Sequence, residues 1–319
     1  MKKPSLLIIF LTVFIDLVGF GLILPLIPIF SRNFHAPGWQ IGGIIASYSL
    51  MQFIFSPIWG RLSDRIGRRP ILLGSTACAA ISYALFAYGS GLQNQKALWI
   101  ILGSRLFAGI CGANITVAQA YIADITPPEK RSARMGLIGM AFGLGFIFGP
   151  ALGAVSITYF GLSGPGWTAS ALCTLNFITA FFILRESWQP AAEHVQPRPH
   201  FEQFLHTLRQ PALGLLIGIF FLATFAFTCF ESTIGLLISQ TFHLDLTLKK
   251  SAQTVAWLIV YCGLLGALVQ GGATGRLVKK MGEPKLIALS LVFCAVGIGT
   301  LPYFTTWGLL LTGLGIFAI

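Results

Sequence analysis

"GRLSDRIGRRP", residues 60–70, holds five charged side chains in eleven positions of a chain that is 55% hydrophobic and only 10% charged. Long runs with almost no charge flank it on both sides. A second passage of the same shape, "GRLVKKMGEPK", occupies residues 275–285. Sliding the sequence along itself so that Gly60 meets Gly275 also brings Arg61 onto Arg276, Leu62 onto Leu277 and Gly67 onto Gly282. The same shift sets Asp16 on Glu231, Phe10 on Phe225 and Leu22 on Leu237. One offset thus aligns a charged turn and two acids embedded in apolar runs, which is the mark of an internal repeat.

Outward from these turns the chain is apolar throughout, with a mean hydropathy of +0.80 over 319 residues. Apolar stretches long enough to cross a hydrocarbon layer of roughly 30 Å recur about ten times. They fall at 6–30, 39–59, 70–89, 97–122, 135–160, 167–184, 212–240, 252–274, 285–302 and 306–319. The period-2 alternation of a membrane β-barrel is absent. The fold class expected is therefore an all-α integral membrane protein with its N-terminus in the cytoplasm. Six spans separate the repeated turns, an even number, so the halves are parallel repeats: 1–185, a cytoplasmic linker at 186–210, and 211–319. The run "LLLTGLGIFAI" ends without a polar flank and is read as a truncation within the fourth helix of the second half.

The net charge of +11 fits this topology. With the N-terminus inside, inner segments hold 16 of the 21 basic residues and outer loops hold Arg32, Lys96, Lys249 and Lys250. That positive-inside bias makes the lipid bilayer, and no nucleic acid, the expected partner. The opening "MKKPSLLIIFLTVF" has the charge pattern of a signal peptide but no small-residue cleavage site, so it reads as the first span. The six cysteines lie inside spans with no C-x-x-C pair and read as packing residues. His194, His200 and His206 in the linker are spaced by six, which suits no common metal site. No metal, no cofactor and no catalytic constellation is expected; there is no P-loop, no H-E-x-x-H and no nucleophile elbow.

Charge inside a span costs roughly 2.5–3.5 kcal/mol on insertion scales. Asp16 lies about ten residues, or about 15 Å, from one end of its span, and Arg105 about 12 Å from one end of its own, so both sit near the midplane. Two readings are open: a buried structural ion pair, or groups lining a water-filled cavity where a carboxylate takes up and releases protons. Glu231 is either part of that machinery or a polar tie to a neighbouring helix. In the span 135–160, Gly145, Gly149 and Gly153 recur at steps of four behind Gly136. They form a face that another backbone can approach, with Pro150 favouring a bend. Gly263, Gly266, Ala267 and Gly271 of span 252–274 offer a packing mate.

Taken together, these segments resemble one family. "GRLSDRIGRRP" resembles the signature loop between helices 2 and 3 of the major facilitator superfamily. "LGSRLFAGICGA" (102–113) resembles the helix-4 motif of its proton-coupled members. The run from Gly136 to Ala154 is similar to the antiporter motif, with Ala154 in place of its last glycine. "DLVGFGLILPLIP" (16–28) is similar to helix 1 of the twelve-helix drug–proton antiporters, nearest to their tetracycline-efflux branch. The resemblance implies two six-helix halves, the second incomplete here, that rock about a central site. It implies a cytoplasmic latch of Gly60, Asp64, Arg65, Gly67, Arg68, Arg69 and Asp124. It gives proton coupling to Asp16, Arg105 and Glu231, and a seal between halves to Gly136, Gly145, Gly149, Pro150 and Gly153. The function implied is export of a small amphipathic drug against inward proton flow, by a monomer in a bacterial inner membrane. A proton-coupled importer of a sugar or metabolite, or a non-functional remnant, is the alternative. The acids that tetracycline exporters carry in helices 3 and 9 are absent: the first aligns with Ser82, and 285–302 contains none.

Overall fold

The structure, a computed structural model, describes residues 6–23, 27, 36–92, 96–112, 114–188, 209–244, 249–269 and 274–318. Its helices are α1 (Leu6–Ile23), α2 (Gly38–Ile66), α3 (Arg68–Gly91), α4 (Lys96–Cys111), α5 (Asn114–Asp124), α6 (Arg131–Phe160), α7 (Gly164–Ile183), α8 (Pro211–Thr241), α9 (Lys249–Leu268), α10 (Thr274–Met281), α11 (Glu283–Thr300) and α12 (Trp307–Ala318). No strand occurs among the described residues. Seven helical segments are long and apolar enough to cross a bilayer, and three shorter apolar helices follow at Gln253–Gly266, Pro284–Thr300 and Trp307–Phe317. The three linker histidines and Gly271 lie outside the described residues.

The repeated turns are built alike. Gly67 ends α2 and starts α3 with φ 102° and ψ 160°, while Gly282 joins α10 to α11 with φ 79° and ψ 157°. Side chains rarely adopt this conformation, so glycine at both corners is a steric requirement. Each corner reverses the chain within one residue and lets the next span start at once.

One expected span departs from the sequence reading. The span Lys96–Asp124 is present but interrupted: α4 stops at Cys111, Gly112 is non-helical, and α5 is described from Asn114. A break inside a bilayer strands carbonyl groups, each costing several kcal/mol if left bare in lipid. Three side chains from α2 and α3 cover them. Trp59 Nε1 donates to the Ile110 carbonyl (2.5 Å), Ser75 Oγ to the Cys111 carbonyl (2.5 Å) and Gln52 Nε2 to the Gly112 carbonyl (3.2 Å). Polar groups of α2 and α3 thus clasp the break.

In the first half α1 packs on α6 and α7, α3 on α7 and α4, and α2 on α4. Polar ties cross the same seams: Asn176 Nδ2 donates to the Thr12 carbonyl, Ser170 Oγ to the Ala80 carbonyl and Ser82 Oγ to the Ser104 carbonyl. Two cores result. One, near the 60–70 corner, includes Ile9, Val13, Leu72, Val117, Tyr121 and Ile138 and belongs to the first half alone. The other lies at the opposite end, where Leu22, Ile44, Phe86 and Ile157 share a cluster with Ile234, Ile238, Val255, Leu258 and Leu310. The halves therefore meet through an apolar core at the end away from the charged corner.

Candidate functional site

At the charged corner, Arg68 is the centre of the network. Its side chain is nearly buried, and three groups engage it: NH1 reaches Asp64 Oδ1 at 2.5 Å and Ser63 Oγ at 2.6 Å, and Nε reaches Asp124 Oδ2 at 3.1 Å. Helix α2 supplies Ser63 and Asp64 one turn before the corner, and α5 ends on Asp124, so three chain segments converge on one guanidinium. The contributions are unequal. Asp64 is 61% exposed, and an ion pair with so exposed a partner is worth about 0.2–1 kcal/mol. Asp124 is 26% exposed and also accepts a hydrogen bond from Ser187 Oγ at 3.2 Å. Removing the carboxylates would leave Arg68 charged and buried, and stranding a fully buried ion costs about 3–5 kcal/mol. Asp124 therefore holds the structure together, whereas Asp64 contributes little to it.

The other residues named for this region are placed as follows. Arg69 NH2 donates to the Phe181 carbonyl at 2.7 Å and its guanidinium lies over the Phe181 ring. Arg65 is exposed, and Gly60 faces Thr116 of α5. Glu186, which the sequence reading passed over, lies over Gly67 with its carboxylate against the first amides of α3. Arg131 and Arg134 donate to the carbonyls of Thr126 and Ile125, where cations complement the end of α5.

The second group lies at mid-span. Asn114, first residue of α5, hydrogen-bonds the Asp16 carboxylate of α1. The interruption of the fourth span thus sets a polar side chain beside an acid in an apolar helix. Arg105 is 2% exposed and rests on the rings of Phe86 (5.0 Å) and Tyr83 (5.5 Å). Its Nε and NH2 have no hydrogen-bond partner among the described residues. No ion pair joins Arg105 to Asp16 there either. Glu231 lies in α8, and its side chain is outside the described set.

The glycine face of α6 is used, but against a different mate than expected. A Cβ on Gly149 would lie 2.6 Å from the Gly21 carbonyl carbon, and one on Gly145 would lie 2.8 Å from Leu17 Cβ. Gly145, Gly149 and Gly153 thus seat α1 and not span 252–274. Helix α9 takes the adjoining face: a Cβ on Gly263 would meet Ile147 Cγ1 at 3.0 Å and the Phe146 carbonyl oxygen at 3.4 Å. That carbonyl is the one Pro150 deprives of its helical donor. Gly136 faces open space.

Between α6, α8, α9, α11 and the end of α12 lies a cavity of about 900 Å³. Phe142, Phe146, Phe220, Phe227, Phe230 and Phe317 make its walls, with Ser290 among the few polar groups. Its volume is near the upper end for small-molecule sites. A chain of rings connects it to the mid-span group: Tyr48 to Phe20 at 5.3 Å, Phe20 to Phe146 at 6.4 Å and Phe146 to Phe227 at 5.9 Å.

Comparison with known proteins agrees with this architecture. The family model of the Major Facilitator Superfamily matches residues 9–319. Tetracycline resistance protein, class C, of Escherichia coli is 33% identical over 315 residues, which cover 96% of this chain and 75% of that protein. Multidrug resistance protein 2 of Bacillus subtilis is 30% identical over 301 residues, covering 92% of this chain and 72% of that one. Among solved structures, the human organic anion transporter MFSD10 superposes with a TM-score of 0.68 at 26% identity, covering 99% of this chain and 83% of that chain.

Proposed function

The chain belongs to the major facilitator superfamily and is a membrane transporter of small molecules, and we propose that it exports an amphipathic compound in exchange for protons. The observation that carries this reading is Asp16: a carboxylate in the middle of an apolar helix, held by Asn114 at a break in the fourth span, with no cation paired to it among the described residues. A carboxylate so placed is suited to take up and release a proton as the halves move. Arg105, close by on its aromatic seat, and Glu231, the repeat counterpart of Asp16, complete the coupling group. The phenylalanine-lined cavity suits the apolar body of a cargo, and its ring path to Tyr48 suits a cargo with a polar end. Relatives named for tetracycline and multidrug resistance support a drug-like cargo of this kind.

In this reading the corner at 60–70 faces the cytoplasm of a bacterial cell, the protein works as a monomer, and the halves are 1–185 and 211–319, joined by the linker 186–210. The halves meet at the far end and the cavity lies on the corner side, which is the arrangement of an inward-facing state. Among the described residues the partners of Arg68 all come from the first half. Asp64, exposed and of small worth here, is free to engage the second half when the cytoplasmic side closes. Gly60, Gly67 and the basic residues shape that latch, while the face of Gly145, Gly149, Pro150 and Gly153 keeps α6 tight on α1 within the first half, and α9 of the second half takes the adjoining face.

The test is drug accumulation in a pump-deficient bacterial host. Expression of the protein is expected to lower accumulation of an amphipathic dye or tetracycline several-fold, and an uncoupler to abolish the difference. Accumulation indifferent to both protein and uncoupler overturns proton-driven export. Asp16→Asn at normal abundance is expected to remove the difference as well, and full transport by that variant would take Asp16 out of the proton path.

A further inference from the structure

We propose that the root of the linker, Arg185–Trp188, is a working part of the latch, with Glu186 as its positioning residue; this rests on the latch reading above. After α7 ends at Ile183 the chain runs in non-helical form back across the Gly67 corner. There one carboxylate collects four backbone amides. Glu186 Oε1 accepts from Arg68 N (2.9 Å), Ser187 N (3.0 Å) and Trp188 N (3.0 Å), and Oε2 from Arg69 N (3.2 Å). Two of those amides open α3, where a helix has no internal acceptors and where its dipole favours an anion. Gly67 makes the approach possible, since a Cβ there would collide with the Glu186 carboxyl group.

The neighbouring residues extend the same grip. Ser187 Oγ donates to Asp124 Oδ2, the oxygen that also receives Arg68 Nε. Tyr121 on α5 donates to the Arg185 carbonyl at 2.9 Å. Segment 185–188 therefore holds both ends of the Arg68–Asp124 bond, the backbone of Arg68 through Glu186 and the carboxylate of Asp124 through Ser187. Beyond residue 188 the chain leads to the second half. A pull on it is delivered to the two groups that aim Arg68, and through Arg68 to Asp64. Glu186 makes no contact with cargo; it sets the position of the side chain that does the latching.

The experiment is a state reporter in the full chain. Gly139→Cys, on the cavity wall and facing open space, is introduced where the six native cysteines have been replaced. Its labelling by a membrane-impermeant maleimide is timed in inside-out vesicles at equal amounts of folded protein. Loss of the latch favours the inward-open state, so Glu186→Ala is expected to label about five- to tenfold faster, the scale of one lost charged cap. Glu186→Asp, which keeps the charge, restores most of the parent rate, and Glu186→Gln falls between; these two carry the test should the alanine variant not fold. Asp64→Asn labels faster to a similar extent, and the double variant Asp64→Asn/Glu186→Ala no faster than the quicker single one. A Glu186→Ala rate equal to the parent's, beside a raised Asp64→Asn rate, overturns this inference alone and leaves Glu186 a helix cap. Additive effects in the double variant also place Glu186 outside the latch. Parent-like rates in both single variants bring down the latch reading and this inference together.

Discussion

At residue 67 the chain turns with φ 102° and ψ 160°, and at residue 282 with φ 79° and ψ 157°. The two corners share backbone conformation, a preceding Gly-Arg-Leu and a cluster of cations. Their surroundings differ. At Gly67 the nearest atoms to an added Cβ belong to the Glu186 carboxyl group, whereas at Gly282 the nearest among the described residues is Pro284 Cδ at 3.9 Å. In the repeat Lys279 stands where Asp64 does, and Glu283 where Arg68 does. The comparison separates two requirements that the first corner combines. Reversing an apolar chain in one residue needs glycine, and both corners supply it. At the first corner a guanidinium held between carboxylates is added to that requirement.

Breaking the backbone of each corner measures the separation most strongly. Gly282→Ala introduces only backbone strain, about 1–3 kcal/mol. Gly67→Ala adds displacement of the Glu186 carboxylate, a cap worth about 1–2 kcal/mol. The melting midpoint in detergent is therefore expected to fall by about 2–6 °C for Gly282→Ala and by about 5–10 °C for Gly67→Ala. Transport should follow the second much more than the first. Equal falls in both would mean that the first corner has no extra chemistry to lose.

Rewriting the first corner in the language of the second gives a smaller structural effect with a large functional one. Asp64→Lys copies the repeat position. Because Asp64 is exposed, loss of its pair costs about 1 kcal/mol or less, a midpoint shift within about 4 °C. Export should nevertheless fall at least tenfold if Asp64 serves the closed state. Asp124→Asn should show the reverse balance, with the larger midpoint shift of the two, since Arg68 then loses its better-shielded partner. A large stability loss in Asp64→Lys, or undiminished export, would contradict the division of labour between the two acids.

How far the sequence could be read follows the same division. Gly67 and Gly282 were visible because a repeat exposes positions where one residue type is compulsory. The Gly145–Gly149–Gly153 face was visible as a stripe, but its mate was not: small residues announce close approach without naming the partner, and Gly21 on α1 carries no stripe of its own. Asp16 and Arg105 stood out by charge, yet charge and depth alone left a pair and a proton-handling cavity both open, and gave no hint of the rings of Tyr83 and Phe86 that seat Arg105. Glu186 was hidden because its four partners are backbone amides, which no side-chain motif records. The break at 112 was hidden for a related reason. Asn114 has the character of a helix start, but the groups that make a break tolerable lie on two other helices.

Those groups give the smallest effect and the finest comparison between the halves. Trp59 and Gln52 clasp the stranded carbonyls of the fourth span, while the repeat places Thr274 and Ala267 at the corresponding positions. Of the three donors only Ser75 meets its own kind in the repeat, at Ser290, so the repeat keeps one donor of the clasp and replaces the other two. Trp59→Phe keeps the ring and removes the N–H donated to Ile110. It should cost about 1 kcal/mol, the net worth of one hydrogen bond with part of its burial penalty, and lower the midpoint by about 2 °C. Ser75→Ala should do the same through Cys111. If the clasp fixes α5 against Asp16, the double variant should also shift the pH at which export is half-maximal, while Thr274→Ala leaves that pH where it was. A pH profile unmoved by loss of both donors would make the clasp a repair of the backbone alone, with no hold on the proton site.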